Sequence, residues 1–284
     1  MQRNAGIAFD GQLLCTTVQA VEEKSYHTAL TPPDVALLIS CLDLTTLAGD
    51  DTEQQVLALC RQALEPSPGR GTDTPRPASV CVYPVFVPLA LEALAGSSVR
   101  VATVAAAFPH GLSTLSCRVK EVGEAVALGA HEVDVVIRRS HALCGEWEAL
   151  YDEVCAFREA AEDTTLKVIL ATGELSEPEV IFRAGVTALM AGADFIKTST
   201  GKETVNATLP AGAAMAHAIR TYAEATGFHA GLKPAGGIRT SEQAAEWLGL
   251  VRDELGSDWL TPAGFRIGAS ALLGDLVGRL PGEH

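Results

Sequence analysis

The chain has 284 residues, a net charge of −14 and an isoelectric point near 4.9. This acidic balance argues against non-specific binding to nucleic acid or to anionic membranes, although a local group of Lys, Arg and backbone N–H donors can still bind a small anion. Hydrophobic residues make up 48% and aromatic residues only 5%, which suits helices packed tightly on strands better than an aromatic-rich β-sandwich.

Cysteine usage and the apolar segments indicate the compartment. The seven cysteines are scattered and form no CxxC pair, which is typical of reduced thiols used as small apolar residues. Residues 1–10 lack the apolar segment of a signal peptide, and the longest uncharged apolar stretch, 77–91, is too short to cross a bilayer. We expect a cytoplasmic protein with neither a membrane nor a nucleic acid as partner.

Residues 1–33 are expected to form an N-terminal helical extension. Eight apolar runs without strict alternation follow, a pattern that indicates strands covered on both faces, as in a parallel sheet. These runs are 38–44, 79–83, 99–105, 132–137, 166–171, 194–198, 230–233 and 265–268.

Segments with helical spacing lie between the strand-like runs. Residues 51–64 and 146–161 each place their apolar side chains on one face. Residues 240–243 resemble a capping box, and Gly129 and Gly192 stand where a helix gives way to the next strand. Strands and helices therefore alternate along the whole chain.

Eight strand–helix pairs predict an α/β fold, the (βα)8 TIM barrel, at about residues 34–281. A doubly wound open sheet is the alternative, because pattern alone separates the two folds poorly. The segment 65–77 is rich in Pro, Gly and Thr, but strand–helix alternation continues on both sides of it, so we interpret it as a surface loop. One domain spanning 1–284 is predicted.

Two lysines, Lys197 and Lys233, end the sixth and seventh predicted strands. A buried ammonium group is costly, so a lysine that ends a core strand is either paired or used in chemistry. Crowded, desolvated ammonium groups lower each other's pKa, and a neutral lysine amine attacks carbonyl carbons.

A carboxylate is expected beside these lysines. Asp134 lies five positions after Gly129, and Lys197 lies five positions after Gly192. If the two turns are alike, both side chains point inward at one level, because alternate strands share a layer inside a barrel. A structural Asp–Lys ion pair is the alternative. One carboxylate cannot neutralise both Lys197 and Lys233, however, and the excess positive charge favours a neutral amine and an active site.

The loops after strands six, seven and eight suggest a phosphate site. Paired glycines let backbone N–H groups approach an anion closely, and the loops after strands seven and eight are the usual phosphate site of a TIM barrel. The residues concerned are Lys202, Gly236, Gly237, Gly268 and Ser270.

Other polar residues near strand ends carry weaker signals. Asp43 could orient a lysine or a substrate hydroxyl, or cap the next turn. Cys81 is interpreted as a core residue rather than a nucleophile, and His110 as part of a turn rather than a general base. His131 and Glu132 would face opposite ways on a strand, and no cluster has the spacing of a metal site.

Eight stretches between residue 38 and the last strand carry a shared family pattern. They are DLTTL at 43–47, VCVYP at 80–84, FPHG at 108–111, EVDVV at 132–136, ATGEL at 171–175, FIKTSTGK at 195–202, KPAGG at 233–237 and FRIGAS at 265–270. On these motifs the chain resembles the deoxyribose-phosphate aldolases, and the sixth motif joined to the seventh is highly specific.

The resemblance implies a class I aldolase that uses neither a metal nor a cofactor. It would cleave 2-deoxy-D-ribose 5-phosphate reversibly to D-glyceraldehyde 3-phosphate and acetaldehyde, in deoxyribose phosphate catabolism, and could assemble as a homodimer. By matching motifs, Lys197 forms the Schiff base, Lys233 tunes its pKa and Asp134 moves protons. The phosphate contacts would come from Lys202, Gly236, Gly237, Gly268 and Ser270.

The chain departs from the family pattern at three places: Ala271 replaces a hydroxyl residue, Arg138 is unlike its counterparts, and residues 281–284 lack a C-terminal Tyr.

Two other functions compete with the aldolase. Another phosphate-binding barrel enzyme, such as an isomerase or a metal-dependent aldolase, would be separated by its response to a chelator. A silent sugar-phosphate binder is disfavoured because Lys197 and Asp134 are both present.

Overall fold

The computed structural model describes residues 26, 29–68, 74–175 and 177–281. Most of the predicted extension at 1–33, and residues 282–284 of the tail, therefore lie outside the described residues. The first helix described is α1 (Pro32–Ser40), which begins at a capping box between Thr31 and Asp34. Such a box satisfies two backbone N–H groups that the first turn leaves without partners.

Eight parallel strands follow α1. They are β1 (Leu42–Thr45), β2 (Ser79–Val82), β3 (Arg100–Ala105), β4 (Glu132–Val136), β5 (Thr165–Ile169), β6 (Phe195–Lys197), β7 (Gly231–Lys233) and β8 (Ile267–Ala269).

Helices connect these strands, and two short 3₁₀ helices span Pro84–Phe86 and Ser257–Trp259. The α-helices are α2 (Glu53–Leu64), α3 (Val87–Ala93), α4 (Leu115–Ala127), α5 (Arg139–Leu143), α6 (Trp147–Ala161), α7 (Thr172–Leu175), α8 (Pro178–Met190), α9 (Leu209–Thr226), α10 (Ser241–Glu254) and α11 (Leu272–Gly278). Over the residues described, no helix is long and apolar enough to cross a membrane.

The strands form one sheet in the order β7-β6-β5-β4-β3-β2-β1-β8. Parallel bridges join Leu232 to Phe265 and Ala235 to Gly268, and so bring β7 beside β8. The sheet therefore closes into a barrel. The predicted TIM barrel is confirmed, and the open doubly wound sheet is excluded.

The local signals for helix ends are also confirmed. Gly129 and Gly192 have φ values of 92° and 104°, the left-handed region that favours glycine after a helix. Thr240 and Gln243 form the expected capping box at the start of α10. These turns fix where β4 and β6 begin.

The first strand was predicted too early. The apolar run 38–44 is shared by two elements, because α1 continues to Ser40 and β1 begins only at Leu42. A single residue, Cys41, separates them. Leu38 and Ile39 are fully buried on the helix, so the apolar run is continuous across the junction and periodicity cannot locate it.

The two faces of the sheet differ in chemistry. Outward residues such as Val133 and Val135 pack in the large apolar core under the helices. Inside the barrel, a small apolar cluster of Cys81, Ala102 and Val104 occupies the side of β2 and β3. The remaining interior positions that matter for function are charged.

Candidate active site

Seven charged side chains meet inside the barrel, and none is more than 5% exposed. Such burial is tolerated only if the charges are paired. The seven are Asp43, Glu132, Asp134, Lys167, Lys197, Lys233 and Arg266.

Asp134 lies at the centre of the three lysines. Its Oδ2 accepts hydrogen bonds from Lys197 Nζ at 2.7 Å and from Lys233 Nζ at 2.7 Å. Its Oδ1 accepts from Lys167 Nζ at 2.9 Å. The predictions that Asp134 and Lys197 meet inside the barrel and that Lys233 lies beside Lys197 are confirmed by these contacts and by the pairing of Lys197 with Lys233.

A second group of charges lies around Lys167. Lys167 Nζ is 2.5 Å from Glu132 Oε2 and 3.4 Å from Asp43 Oδ2. Arg266 donates to Asp43 Oδ1 at 2.6 Å and to Glu132 Oε1 at 3.0 Å. Lys167, Glu132 and Arg266 were not predicted as part of the site. Lys167 carries the same signal as Lys197, a lysine within an apolar run, and could have been found by it.

The predicted balance of one carboxylate against two lysines was wrong. Among the buried side chains inside the barrel that the structure describes, three carboxylates face four cations, and Asp43 also lies 2.5 Å from Lys233 through its Oδ2. The half-exposed Arg100 adds a further cation, 2.8 Å from Glu132 Oε1. Positive charge therefore remains in excess in the larger network, and the conclusion that a neutral amine is favoured stands.

The lysines respond differently to their surroundings. Burial lowers the pKa of Lys197, and the charge of Lys233 lowers it further, against the opposing effect of Asp134. Burial also acts on Lys233, but the Asp134 and Asp43 carboxylates outweigh it and raise its pKa. The pKa of Lys167 is raised in the same way by its carboxylate neighbours. Lys197 is thus the one lysine of these three that the site favours as a free amine.

A cavity of about 370 Å³ opens above Lys197 at the carboxyl ends of the strands. Gly236 and Gly237 have φ values of 85° and 86°, which residues with a Cβ rarely adopt. All five predicted phosphate residues line this cavity: Lys202, Gly236, Gly237, Gly268 and Ser270. Residues 45–48 and Arg239 line it as well and were not predicted.

Several predicted residues lie outside the lining. Asp43, Asp134 and Lys233 lie among the buried charges, where Asp43 contacts lysines and Arg266 instead of the cavity. Direct substrate contact by Asp43 stays a prediction. Ala271 does not line the cavity and instead precedes the first residue of α11.

The residues interpreted as structural behave accordingly. Cys81 is fully buried, and burial raises the pKa of its thiol to about 11. His110 lies in a turn whose Gly111 has a φ of 68°. Within the described part of the chain, no group of three or more His, Cys, Asp or Glu side chains could hold a metal ion.

The barrel is closed below the lysines. The Phe195 ring lies against Gly231, where an added Cβ would approach the ring to 2.1 Å, so only glycine fits. The Arg266 guanidinium lies over the same ring, 5.7 Å from its centroid. Phe195 and Arg266 are no more than 5% exposed.

A larger cavity, of about 580 Å³, lies between α6 and α8 and is lined by Arg158 and Asp194 among others. Asp194 precedes β6, so this cavity is at the amino ends of the strands. Active sites of TIM barrels form at the carboxyl ends, which identifies the smaller cavity as the candidate site.

Comparison with known families agrees with this geometry. The sequence model described as DeoC/LacD family aldolase matches residues 37–273. The chain belongs to this aldolase family.

Relatives within the family are similar over most of their length. Mouse deoxyribose-phosphate aldolase is 51% identical over 250 residues, which cover 84% of this chain and 78% of the mouse protein. A Toxoplasma gondii crystal structure, provisionally described as a deoxyribose-phosphate aldolase, has a TM-score of 0.77 at 25% identity and covers 88% of this chain and 96% of its own. The tetrameric deoxyribose phosphate aldolase of Aeropyrum pernix has a TM-score of 0.63 at 26% identity, covering 92% and 96%.

The two arginines after β4 have different surroundings in this DeoC/LacD aldolase. The side chain of Arg138 is exposed and donates to Ser140. Arg139 is 11% exposed and reaches Glu174 and Glu203 on two other loops. Arg139 was not predicted as a residue of note, whereas Arg138 was.

Proposed function

We propose that this protein is a deoxyribose-phosphate aldolase, which cleaves 2-deoxy-D-ribose 5-phosphate reversibly to D-glyceraldehyde 3-phosphate and acetaldehyde through a Schiff base on Lys197. The observation that carries the proposal is the buried Lys197 amine at the base of the cavity, with its pKa lowered and Asp134 Oδ2 at 2.7 Å. The family and the activity named for the mouse relative support the same assignment.

Lys197 acts as the nucleophile in the first step. Its neutral amine attacks the C1 aldehyde of the open-chain sugar, and the carbinolamine loses water to give an iminium ion. Lys233 remains protonated, because Asp134 and Asp43 raise its pKa. Its ammonium group lies 2.7 Å from Asp134 Oδ2, so the negative charge of Asp134 is shared between Lys233 and Lys197 and stabilises the protonated form of Lys197 less.

The iminium ion then serves as the electron sink for bond cleavage. A base removes the proton of the C3 hydroxyl, the C2–C3 bond breaks, and its electron pair forms the enamine between C1 and C2. Glyceraldehyde 3-phosphate leaves, the enamine takes a proton at C2, and hydrolysis returns acetaldehyde and free Lys197. We assign these proton transfers to Asp134 and Lys233 acting with a water molecule, because together they present a carboxylate and an ammonium group beside the reacting amine.

The substrate phosphate binds in the same cavity, at the loops that follow β6, β7 and β8. Lys202 and Arg239 supply positive charge there, and the positive-φ pair Gly236 and Gly237 exposes backbone next to it. Ser270 adds a hydroxyl from the start of the last strand–helix connection. Charge-assisted hydrogen bonds of this kind favour a phosphate dianion over a neutral hydroxymethyl group.

The proposal extends to the assembly and the compartment. A homodimer is one possible assembly, and the Aeropyrum pernix relative is described as tetrameric. A cytoplasmic location fits the six described cysteines, all of which are free thiols. Catalysis through the lysine needs no metal, so activity should survive incubation with a chelator.

Borohydride trapping tests the chemistry directly. Treating the enzyme with acetaldehyde and borohydride should add one ethyl group, about 28 Da, to the peptide that carries Lys197. The same protein should release glyceraldehyde 3-phosphate from 2-deoxyribose 5-phosphate before and after chelation. Labelling on Lys233 alone would overturn the assignment of the nucleophile, and loss of activity with the chelator would favour a metal-dependent aldolase.

A further inference from the structure

The loop after β6 is built around an internal carboxylate. Glu203 Oε1 accepts a hydrogen bond from Thr200 N at 3.0 Å, and Oε2 accepts from Gly201 N at 3.1 Å and from Lys202 N at 3.2 Å. The Glu203 side chain is 2% exposed. Three successive backbone N–H groups that could bind an external anion are therefore already occupied.

Arg139 connects this carboxylate to the other loops around the cavity. Its Nη2 is 3.3 Å from Glu203 Oε1, and its Nε is 2.5 Å from Glu174 Oε2 in α7. Its guanidinium also donates to the carbonyl oxygens of Pro109 at 3.0 Å and His110 at 2.7 Å. Arg139, at the start of α5, thus joins the loops that follow β3, β4, β5 and β6.

The energetics favour a fixed loop. A carboxylate as buried as that of Glu203 is stable only when its oxygens are satisfied, and here three N–H groups and one guanidinium satisfy them. A glutamine would offer one accepting oxygen, and its amide nitrogen would face N–H donors. The loop would then lose the bonds that define it, and the Lys202 side chain would lose its position at the cavity.

We propose that Glu203 is a positioning residue, which prefolds the loop Thr200–Lys202 so that the Lys202 side chain meets the substrate phosphate, and that Arg139 holds Glu203 in place. The inference rests on the proposed function, because it assumes a phosphorylated substrate in this cavity. The backbone N–H groups of Thr200–Lys202 serve Glu203, and the phosphate uses donors from Lys202 Nζ and the other loops.

Steady-state kinetics of Glu203→Gln with two substrates test this role. For 2-deoxyribose 5-phosphate, KM should rise about tenfold while kcat changes by less than about twofold, because a loosened loop weakens phosphate binding and leaves Lys197 and Asp134 in place. For unphosphorylated 2-deoxyribose, kcat/KM should stay within about twofold of the wild type. If Glu203 had a purely structural role, its replacement would lower kcat/KM equally for both sugars.

Arg139→Lys provides a second variant that keeps the charge but cannot bridge Glu203 and the two carbonyl oxygens. We expect this replacement to lower the ratio of kcat/KM for the phosphorylated sugar to that for 2-deoxyribose by about three- to tenfold. Arg138→Gln is the matched control, because that neighbouring side chain is exposed and donates to Ser140. It should leave kcat and KM for both sugars unchanged. Hydrogen exchange should accelerate in the Thr200–Lys202 peptide of Glu203→Gln and Arg139→Lys.

The outcomes separate the two proposals. A wild-type enzyme without activity on 2-deoxyribose 5-phosphate would overturn the proposed function. An active wild type whose Glu203→Gln and Arg139→Lys variants keep the wild-type ratio of kcat/KM for the two sugars would overturn the positioning role alone. If Glu203→Gln does not fold, Arg139→Lys and its exchange data decide.

Discussion

Lys167 and Lys197 enter the barrel from the neighbouring strands β5 and β6, and both are buried. Lys167 lies within 3.4 Å of three carboxylates, those of Asp43, Glu132 and Asp134. Lys197 contacts Asp134, which it shares with two other lysines, and it lines the cavity. The pKa of Lys167 is raised and that of Lys197 is lowered.

This difference shows that burial alone does not make a lysine reactive. Burial acts against the charged form of both groups, but the surrounding carboxylates reverse its effect at Lys167. At Lys197 the single shared carboxylate does not compensate for burial and for the cation of Lys233. We therefore interpret Lys167 as a structural cation and Lys197 as the nucleophile, and the following substitutions separate the two roles.

Replacing Lys197 by Leu should have the largest effect on activity, a loss of at least about 10⁴-fold, because no imine can form. The free energy of unfolding should stay the same or rise. A lysine whose folded pKa lies below its unfolded value binds fewer protons in the native state, so near neutral pH it opposes folding. Aldol cleavage assays and urea unfolding measure the two effects, and substantial residual cleavage would exclude Lys197 as nucleophile.

The matched change Lys167→Met should instead lower the free energy of unfolding, by about 3–5 kcal/mol, because it leaves buried carboxylates without their cation. The folded pKa of Lys167 is raised, so its contribution is complete below the unfolded pKa of about 10.4 and declines as pH rises above it. Urea unfolding at pH 7 and at pH 11 should therefore show a smaller difference between wild type and variant at the higher pH. Equal stability at pH 7 would contradict the structural role.

Lys233→Leu should slow cleavage by about 10²-fold and move the pH dependence of imine formation to higher pH. The positive charge of Lys233 lowers the pKa of Lys197, so its removal raises that pKa and leaves less free amine at neutral pH. The rate of borohydride trapping, measured against pH, reports the shift. A shift to lower pH would contradict the conclusion that the Lys233 charge lowers the pKa of Lys197.

The smallest effects on activity are expected from the residues proposed to bind the phosphate. Lys202→Met should raise KM for the phosphorylated sugar by about tenfold, and Ser270→Ala by about fivefold or less, since charged hydrogen bonds contribute more than neutral ones. Unphosphorylated deoxyribose should respond little to either change. If both sugars responded equally, these side chains would have no contact with the phosphate.

The positions of Asp134, Lys197 and Lys233 were predictable because local turns and strand order determine them. Gly129 and Gly192 end helices in the same left-handed conformation, so counting five residues from each places Asp134 and Lys197 at one level. Strand order then places Lys233 beside Lys197. The barrel itself follows from eight repeated signals, which tolerate errors of a few residues at each strand end.

The remaining contacts depend on strand register and on loops that are distant in sequence. Arg266 meets Asp43 across 223 residues, and Arg139 meets Glu203 across 64. Nothing in the local pattern around Arg139 distinguishes it from its exposed neighbour Arg138. The three loops that Arg139 joins to its own are brought together only when the barrel closes.

The closed floor under Lys197 has a kinetic consequence. Among the described residues the Phe195 ring lies against Gly231 and under Arg266, so both products are expected to leave through the opening at the carboxyl ends of the strands by which the sugar entered. In the proposed mechanism glyceraldehyde 3-phosphate lies nearer that opening, whereas the two-carbon fragment stays bound to Lys197 beneath it. We therefore expect ordered release, with acetaldehyde last. Acetaldehyde should accordingly inhibit cleavage competitively against the sugar phosphate, and glyceraldehyde 3-phosphate should inhibit it in a mixed manner.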